Sequence, residues 1–402
     1  MRTHERFLKY IRYDTGSNLN SDRTPSTASQ LEFARILAEE MKALGISDVL
    51  ISQHGYVTGH IPANTEGRPV IGLIAHMDTV GYLPTVPMNA RIIENYDGTP
   101  ITLENGDILD PAIHTDVALA RGKDLIVTDG RTILGADDKA GIAEILTACE
   151  RILNDPSIPH GKIMIGFTPD EEIGRGSDKF DVKAFGADFA YTVDGGNVGM
   201  VGCENFNAAG FTVTINGIDA HTGDAKNKLV NAILISSEFI RMLPPAEVPE
   251  HTEGYEGFYH LSDIKGSTGN VVLKGFLRDF DMQSFEARKA QLFRIARYLN
   301  ERHGENTVAV EVRNSYFNMR PQIDRYPHIL SLAERAYAAV GVQMRLDPIR
   351  GGTDGARLSF MGLPCPNLST GGMNFHSRFE CIAVQDMDLM TDMLVHLVAL
   401  DP

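Results

Sequence analysis

Histidine and acidic residues occur in five short segments of the chain, and nitrogen and carboxylate donors of these kinds bind divalent metal ions. The segments are AHMDT (His76 and Asp78), LGADDKAG (Asp137 and Asp138), TPDEEIG (Asp170, Glu171 and Glu172), TVDGG (Asp194) and NFHS (His376). Imidazole and carboxylate donors without thiolate favour zinc, with cobalt or manganese as substitutes. Within any one segment, the same residues are also typical of helix N-caps, Asx turns or solvated loops. The indication of a metal site therefore comes from the set.

The number of donors suits two ions. Two catalytic metal ions about 3.5–4 Å apart need one bridging carboxylate and roughly two further ligands each. Five residues supply that set: His76, Asp137, Glu172, Asp194 and His376. Asp78 lies two residues from His76, on the same side of an extended chain, where its carboxylate can orient the imidazole. Glu171 is left over, and beside an activated water it could act as a general base.

Strands and helices alternate from residue 30 to 200, and these elements must position the donors. The pattern predicts helices over 31–44 and 140–153 and short buried strands over 69–75, 162–167 and 190–193. Such alternation is typical of an α/β fold, with a mostly parallel sheet and helices on both faces. The donors lie at or near the carboxyl ends of predicted strands, His376 after 368–369, and ligands bind at that edge of such sheets. Carboxylates crowded there repel each other unless cations lie between them.

The segment from about 204 to 315 has a different order of elements. It predicts strand, helix, strand, strand, helix and strand at 208–215, 228–243, 257–265, 270–279, 282–301 and 307–312. That order is the ferredoxin-like α+β pattern. The sequence thus predicts a catalytic domain in two parts, 1–203 and 316–402, interrupted by an inserted domain over 204–315. The stretch 81–133 has no clear period and is interpreted as rich in hairpins.

Composition and charge are those of a soluble globular protein. The chain has 402 residues, more than one hydrophobic core usually supports, and a net charge of −16. A polyanion is a poor partner for nucleic acid. No apolar run approaches the roughly 18 residues of a membrane span, and residues 1–14 predict a short amphipathic helix and no secretory signal. The four cysteines show no Cys-x-x-Cys spacing, which predicts buried thiols in a reducing compartment. We therefore expect a cytoplasmic protein without nucleic-acid or membrane partners.

The chain resembles the large family of di-zinc peptidases and deacylases that includes carboxypeptidases and aminoacylases, and within it the aminotripeptidase branch. The resemblance extends through nearly the whole chain. Besides the donor segments, it rests on ENFNAA (204–209), TEGYEGFYHL (252–261), LRDFD (277–281), IRGGTDGA (349–356) and MGLPCPN (361–367). The matches at 252–261 and 349–367 are specific to the branch, whereas the donor motifs are common to the family.

The resemblance implies a role for every residue of the donor set. The roles are a bridging ligand (Asp137), ligands of one zinc ion (His76 and Asp194), ligands of the other (Glu172 and His376), a general base (Glu171) and a partner that orients the ligand imidazole (Asp78). An aspartate at position 194 suits aminopeptidase members, because many carboxypeptidase and deacylase members have glutamate there. The resemblance therefore favours an aminopeptidase.

The resemblance also implies roles for residues outside the donor set. The inserted domain corresponds to a dimerisation domain, so we expect a homodimer through 204–315. His221 matches a histidine that the partner subunit extends toward the active site, and Arg278 and Arg350 match positions that hold the substrate's carboxylate. Two departures from the family pattern are visible. Met77 replaces a common valine and points away from the donors, and Thr222 follows His221 where proline is usual.

These observations predict a zinc-dependent aminopeptidase with two Zn²⁺ per chain that releases the N-terminal residue of short peptides, above all tripeptides. One alternative is a deacylase or carboxypeptidase that uses the same metals. Another is a non-catalytic metal-binding assembly protein, although Glu171 argues against it because a protein without chemistry needs no base. A nucleotide-binding protein is excluded, since the glycine-rich loop at 351–355 lacks the spacing of a dinucleotide fingerprint or a P-loop.

Overall fold

The chain forms two compact units in the computed structural model, which describes residues 1–86 and 88–401. The first unit comprises Met1–Cys203, Met319–Asp347 and Thr353–Pro402, and the second comprises Glu204–Asn318 and Pro348–Gly352. Pro87, within the predicted hairpin-rich stretch, and Pro402, at the end of the predicted second catalytic segment, lie outside the described residues.

The strands and helices are as follows. The strands in chain order are β1 (Ser47–Ile51), β2 (Val57–Ile61), β3 (Ile71–His76), β4 (Arg91–Ile93), β5 (Ile101–Thr102), β6 (Ile108–Leu109), β7 (Leu125–Val127), β8 (Ile163–Thr168), β9 (Phe189–Gly195), β10 (Met200–Gly202), β11 (Asn207–Asn216), β12 (Phe258–Gly266), β13 (Asn270–Asp279), β14 (Val308–Tyr316), β15 (Arg345–Leu346), β16 (Asn367–Ser369), β17 (Gly372–Met373) and β18 (Cys381–Ala383). The helices are α1 (Thr3–Tyr10), α2 (Ala28–Leu44), α3 (Ala136–Asn154), α4 (Val182–Phe185), α5 (Ala232–Arg241), α6 (Met282–His303), α7 (Arg320–Ile323), α8 (Pro327–Ala339), α9 (Asp354–Phe360) and α10 (Val384–Ala399).

The first unit is built on an eight-stranded sheet in the order β1-β2-β8-β3-β9-β16-β10-β15. The central strands β8, β3, β9 and β16 run parallel, while β2 and β10 pair antiparallel with their inner neighbours. Strand β3 is buried on both faces: Leu73 and Ala75 pack in the core with α3 and α10, and Ile74 packs in a second core with Phe185 and Leu358. This alternation explains its continuous apolar sequence. The predicted α/β class with helices on both faces is confirmed.

The stretch 81–133 contributes to a smaller antiparallel sheet in the order β17-β18-β7-β4. Strands β5 and β6 pair with each other, as the hairpin interpretation predicts, but β7 pairs with β18 from far along the chain. These strands have two or three residues each. No period can be read from runs so short, which explains why the sequence did not reveal this sheet.

The second unit has the antiparallel order β12-β13-β11-β14, with α5 and α6 packed on the sheet. This is the predicted ferredoxin-like arrangement. The predicted helix over 228–243 is shorter in the structure, because Asn231 caps α5 by accepting the N–H groups of Ile233 and Leu234. Just before it, Val230 pairs with Ile218 in an isolated bridge.

Residues 348–352 belong to the second unit, although the sequence places them in the second catalytic segment. The N–H of Phe206 donates to the carbonyl of Ile349 at 3.2 Å, and the N–H of Ile349 donates to the backbone carbonyl of Glu204 at 3.0 Å. The second unit also extends to Asn318, where the sequence predicted 315. Arg350 is thereby placed in the same unit as Arg278.

The four cysteines are buried, as predicted, and are free in the described part of the chain. Among the described residues, every helix is too short or too polar to cross a bilayer.

Candidate active site

Three of the donor segments lie at the carboxyl edge of the central parallel strands. His76 is the last residue of β3, and Asp194 is near the end of β9. Strand β8 ends at Thr168, and Glu171 and Glu172 form a short 3-10 turn soon after it. Parallel neighbours end at the same edge of the sheet, so these side chains converge, as the sequence predicted.

The other two segments reach the site by way of the smaller sheet. Asp137 lies at the start of α3, beyond β7, where it and Asp138 have non-helical backbone angles. His376 lies in the connection between β17 and β18 rather than directly at the end of β16. The sequence interpretation, which placed His376 at a strand end of the main sheet, therefore missed the intervening strand.

The five donors form two groups that share Asp137. The groups are His76, Asp137 and Asp194, and Asp137, Glu172 and His376, with the candidate ligand atoms of each group within 4.8 Å of one another. Asp137 Oδ1 lies 2.9 Å from His76 Nε2, and Asp137 Oδ2 lies 3.0 Å from His376 Nε2. His376 Nε2 is also 2.9 Å from Glu172 Oε2. One carboxylate thus has an oxygen directed at each group.

The carboxylates of the two donor groups attract positive charge. Burial lowers the pKa of His76, but the Asp194 and Asp137 carboxylates outweigh it and raise that pKa well above its usual value. Hydrogen bonds to Asp137 and Glu172 raise the pKa of His376 to about 11. Burial, reinforced by the Asp137 charge, raises the pKa of Glu172 to about 7. A set of carboxylates that draws protons this strongly is suited to divalent cations.

Asp78 is fully buried and connects a donor to the turn that follows β8. His76 Nδ1 lies 3.0 Å from the backbone carbonyl of Asp78 and 3.4 Å from its carboxylate. The carboxylate oxygens accept the N–H groups of Glu171 at 2.9 Å and Glu172 at 3.2 Å. The imidazole is therefore oriented chiefly by the carbonyl of Asp78, and the carboxylate holds the two glutamates, a contact that sequence reasoning did not foresee.

Glu171 belongs to neither of the two donor groups. It is half-buried, and burial, followed by repulsion from Asp194, raises the pKa of its carboxyl well above the usual value. A carboxylate that binds protons more strongly than a solvated one is suited to general-base chemistry.

The chain is similar over most of its length to proteins of a known peptidase family. Residues 114–400 match the model of the family described as Peptidase family M20/M25/M40. The chain belongs to this peptidase family. A peptidase T from Halothermothrix orenii is 51% identical over 399 residues, 98% of each chain, and one from Clostridium perfringens is 50% identical over 398 residues, 99% of this chain and 98% of that protein. The predicted resemblance is confirmed, and the chain is an enzyme of the peptidase class.

Solved structures share the fold of this M20 peptidase. The aminopeptidase PepT from Bacillus cereus has a TM-score of 0.79 at 24% identity and covers 99% of this chain and 97% of its own. A dinuclear metal-binding peptidase of the M20 family from Bacillus subtilis has a TM-score of 0.66 at 16% identity, with 99% and 98% covered. Both likenesses concern the fold alone.

The residues predicted to contact substrate lie in the second unit of the M20 peptidase. Arg278 Nη1 donates to the carbonyl of Arg350 at 2.8 Å, so the structure brings these two together. His221 is in an exposed loop, where its Nδ1 accepts the N–H of Gly223 at 3.2 Å. The local turn at His221 therefore forms with threonine at position 222.

Two further acidic residues contact the donors, and sequence reasoning gave neither of them a role. Asp138 is fully buried, and its Oδ2 accepts the N–H of His76 at 3.0 Å. Glu380 is also buried and accepts the N–H of Asp137 at 3.0 Å. The sequence gave only weak indications of these roles. Asp138 is next to a donor in the sequence, and Glu380 directly precedes the apolar run of β18, where burying an acidic side chain costs free energy unless it has hydrogen-bond partners.

Proposed function

We propose that this M20 peptidase is a di-metal aminopeptidase that releases the N-terminal residue of short peptides, above all tripeptides. The observation that carries the proposal is Asp137, whose two carboxylate oxygens approach the imidazoles of His76 and His376 at 2.9 and 3.0 Å. A carboxylate placed between two donor groups suits a pair of ions. The full-length relatives named peptidase T support the substrate class.

The donor chemistry fits zinc. Each group offers one imidazole and two carboxylates, without thiolate, and such sets bind Zn²⁺, with Co²⁺ or Mn²⁺ as substitutes. We therefore assign two Zn²⁺ per chain, held by His76, Asp137 and Asp194 and by Asp137, Glu172 and His376. When bound, the ions supply Lewis acidity that lowers the pKa of water toward about 7 and stabilises charge on the substrate carbonyl.

Proton transfer is assigned to Glu171. Its carboxylate takes a proton from the attacking water and passes it to the leaving amine, so that one group acts as base and then as acid. Asp78 fixes the backbone of Glu171 through the 2.9 Å hydrogen bond from its N–H. His76 is oriented by the same residue.

Arg278 is the better candidate to bind the substrate's carboxylate. Its Nε is buried and has no hydrogen-bond partner among the described residues, and its guanidinium lies 4.9 Å from the centre of the Phe276 ring. Arg350 is already engaged, because its Nη1 donates to the carbonyls of Gly254 at 2.6 Å and Glu256 at 3.1 Å. We therefore assign Arg350 to holding the 252–256 loop and Arg278 to the substrate.

We also propose that the protein is a cytoplasmic homodimer paired through residues 204–315, with His221 reaching the partner's active site. The second unit exposes large apolar side chains that support pairing: Ile233 (49%), Leu234 (63%) and Phe293 (45%). The net charge of −16 argues against nucleic acid as a partner.

A panel of peptides tests the function. Tripeptides with free and with acetylated N-termini are incubated with the protein, with and without chelator, and its metal content is measured. We expect two ions per chain and release of the N-terminal residue from the free peptides alone, abolished by chelator. Cleavage of the acetylated peptides would indicate a deacylase or carboxypeptidase, and metal binding without any cleavage would indicate an assembly protein.

A further inference from the structure

Glu380 connects the loop that carries His376 to the loop that carries Asp137. Its side chain is buried, with 1% of its surface exposed. Oε2 accepts the N–H groups of Leu134 at 2.8 Å and Gly135 at 2.9 Å, and Oε1 accepts the N–H of Asp137 at 3.0 Å. A single carboxylate therefore binds three backbone donors of one short segment.

That segment depends on an outside acceptor. The first N–H groups of a helix have no intrahelical partner, and here the entry to α3 is irregular as well. Gly135 has a φ of +77°, and Asp137 has φ −85° and ψ 101°, which are not helical angles. Glu380 supplies the acceptor that this path of the chain lacks, and so fixes the direction in which the Asp137 side chain leaves the backbone.

The loop of Glu380 approaches Asp137 from a second side. His376 Nε2 lies 3.0 Å from Asp137 Oδ2, so one loop contacts both the side chain and the backbone of Asp137. The loop is braced internally: the N–H of Glu380 donates to the carbonyl of Ser377 at 3.1 Å, and Ser377 Oγ donates to the carbonyl of Asn374 at 2.7 Å. A displacement of Glu380 is thus transmitted to Asp137.

We propose that Glu380 is a positioning residue for both metal sites, acting through the backbone of Asp137. The proposal rests on the di-metal function assigned above, in which Asp137 is common to both ions. Because both groups contain Asp137, loss of its support must weaken both sites together. Loss of an ordinary ligand such as His376 must weaken one.

Metal affinity distinguishes these cases. Zn²⁺ binding to the purified full-length protein is measured by chelator competition for the wild type and for Glu380→Gln, His376→Ala and Glu144→Gln. Glutamine has one acceptor oxygen and an NH₂ group that would face a backbone donor, so at least one hydrogen bond is lost. Glu144→Gln is the matched control: Glu144 is a buried carboxyl in α3 whose oxygens have no hydrogen-bond partner among the described residues.

We expect Glu380→Gln to weaken both sites about 10–100-fold, the usual effect of removing a residue that supports a ligand. His376→Ala should weaken one site, and Glu144→Gln neither. Wild-type affinity at both sites of Glu380→Gln, or weakening at only one, would overturn the proposal. Wild-type protein that binds fewer than two ions would instead overturn the di-metal function. If circular dichroism shows Glu380→Gln unfolded, Glu380→Asp, which keeps both acceptor oxygens on a shorter side chain, must weaken both sites for the proposal to stand.

Discussion

The carboxylate of Asp78 accepts the backbone N–H of Glu171 at 2.9 Å. Asp78 lies two residues beyond His76, the last residue of β3, whereas Glu171 lies in the turn after β8. This hydrogen bond therefore joins the strand that carries a candidate metal ligand to the turn that carries the candidate general base. The position of the Glu171 backbone is therefore tied to the same strand end that supplies the first imidazole.

Replacing Asp78 with asparagine should lower kcat about 10–100-fold, because an amide can satisfy only part of the pair of N–H groups at Glu171 and Glu172. Steady-state kinetics measure the effect, and KM should change less than kcat. Asp188→Asn is the control, since Asp188 accepts the N–H of Val70 at 2.8 Å near the opposite end of β3. Equal losses in the two variants would show that Asp78 contributes only to sheet stability.

Glu171→Gln keeps the size of the side chain but removes the proton acceptor. We expect a loss of about 10²–10⁴-fold in kcat with the metal content unchanged. Glu172→Gln should instead release metal, because Glu172 Oε2 lies 2.9 Å from His376 Nε2 within a donor group. Kinetics together with elemental analysis separate the two roles. Metal loss from Glu171→Gln would mean that the two assignments are exchanged.

Metal affinity should fall as the pH falls, because protons and metal ions compete for the same donors. The pKa of His376 is raised to about 11, so its imidazole carries a proton at pH 7 before metal binds, and the pKa of His76 is shifted in the same direction. Each displaced proton makes the product of the two dissociation constants fall about 10-fold per unit rise in pH, or about 100-fold if both imidazoles release one.

Below pH 7 the dependence should steepen, since the pKa of Glu172 is raised to about 7 and this carboxyl then holds a third proton. Chelator competition between pH 6 and 8, corrected for protonation of the chelator, measures the slope. A slope of one proton or fewer would contradict protonation of both imidazoles.

Arg278→Ala should lower kcat/KM for tripeptides with a free C-terminal carboxylate about 10–100-fold, the size of a hydrogen bond to a charged group. The same tripeptides with an amidated C-terminus serve as the control, because the guanidinium has no carboxylate to bind there. Comparing the wild type and Arg278→Ala on both substrates isolates the contribution of the contact between Arg278 and the substrate's carboxylate. An equal loss on both substrates would assign Arg278 to the packing of the Phe258 and Phe276 rings.

Mixing Glu171→Gln with His221→Ala tests whether His221 acts in the partner's active site. Each variant alone should be nearly inactive. After subunit exchange, about half of the dimers are mixed, and each mixed dimer has one site with both residues intact, which gives roughly a quarter of wild-type activity. Exchange without recovery would place His221 in its own subunit. Near wild-type activity of His221→Ala alone would show that His221 has no catalytic role.

The sequence predicts strands β3, β8 and β9 of the central sheet because they are apolar runs, and β3 is buried on both faces. It did not predict β1, β2, β10 or β15 of the same sheet. The smaller sheet could not be predicted, since its strands are two or three residues long and β7 pairs with β18 across more than two hundred positions. For the same reason, the sequence did not show that His376 lies in the connection between β17 and β18. Residues 348–352 group with the second unit through backbone pairing with Glu204 and Phe206, which has no local signature in the sequence.

The donor residues themselves were recognisable because their types and motifs are local, whereas the residues that hold them were not. Asp138 and Glu380 act through backbone N–H groups of His76 and Asp137. A hydrogen bond from a backbone N–H does not depend on the side chain of the donating residue, so the sequence gives no sign of it. Such supports become visible only when buried carboxylates are matched to the donors around them.

Strand β16 lies between β9 and β10 in the central sheet, yet the whole of the second unit's main segment is encoded before it. At roughly 5–20 residues per second, a ribosome needs about 10–30 s to go from β10 to β16. Throughout that interval the nascent chain already contains His76, Asp137 and Glu172 but not His376. The group of Asp137, Glu172 and His376 is therefore complete only after the polypeptide can close its own central sheet, and every shorter nascent chain lacks one of the five donors.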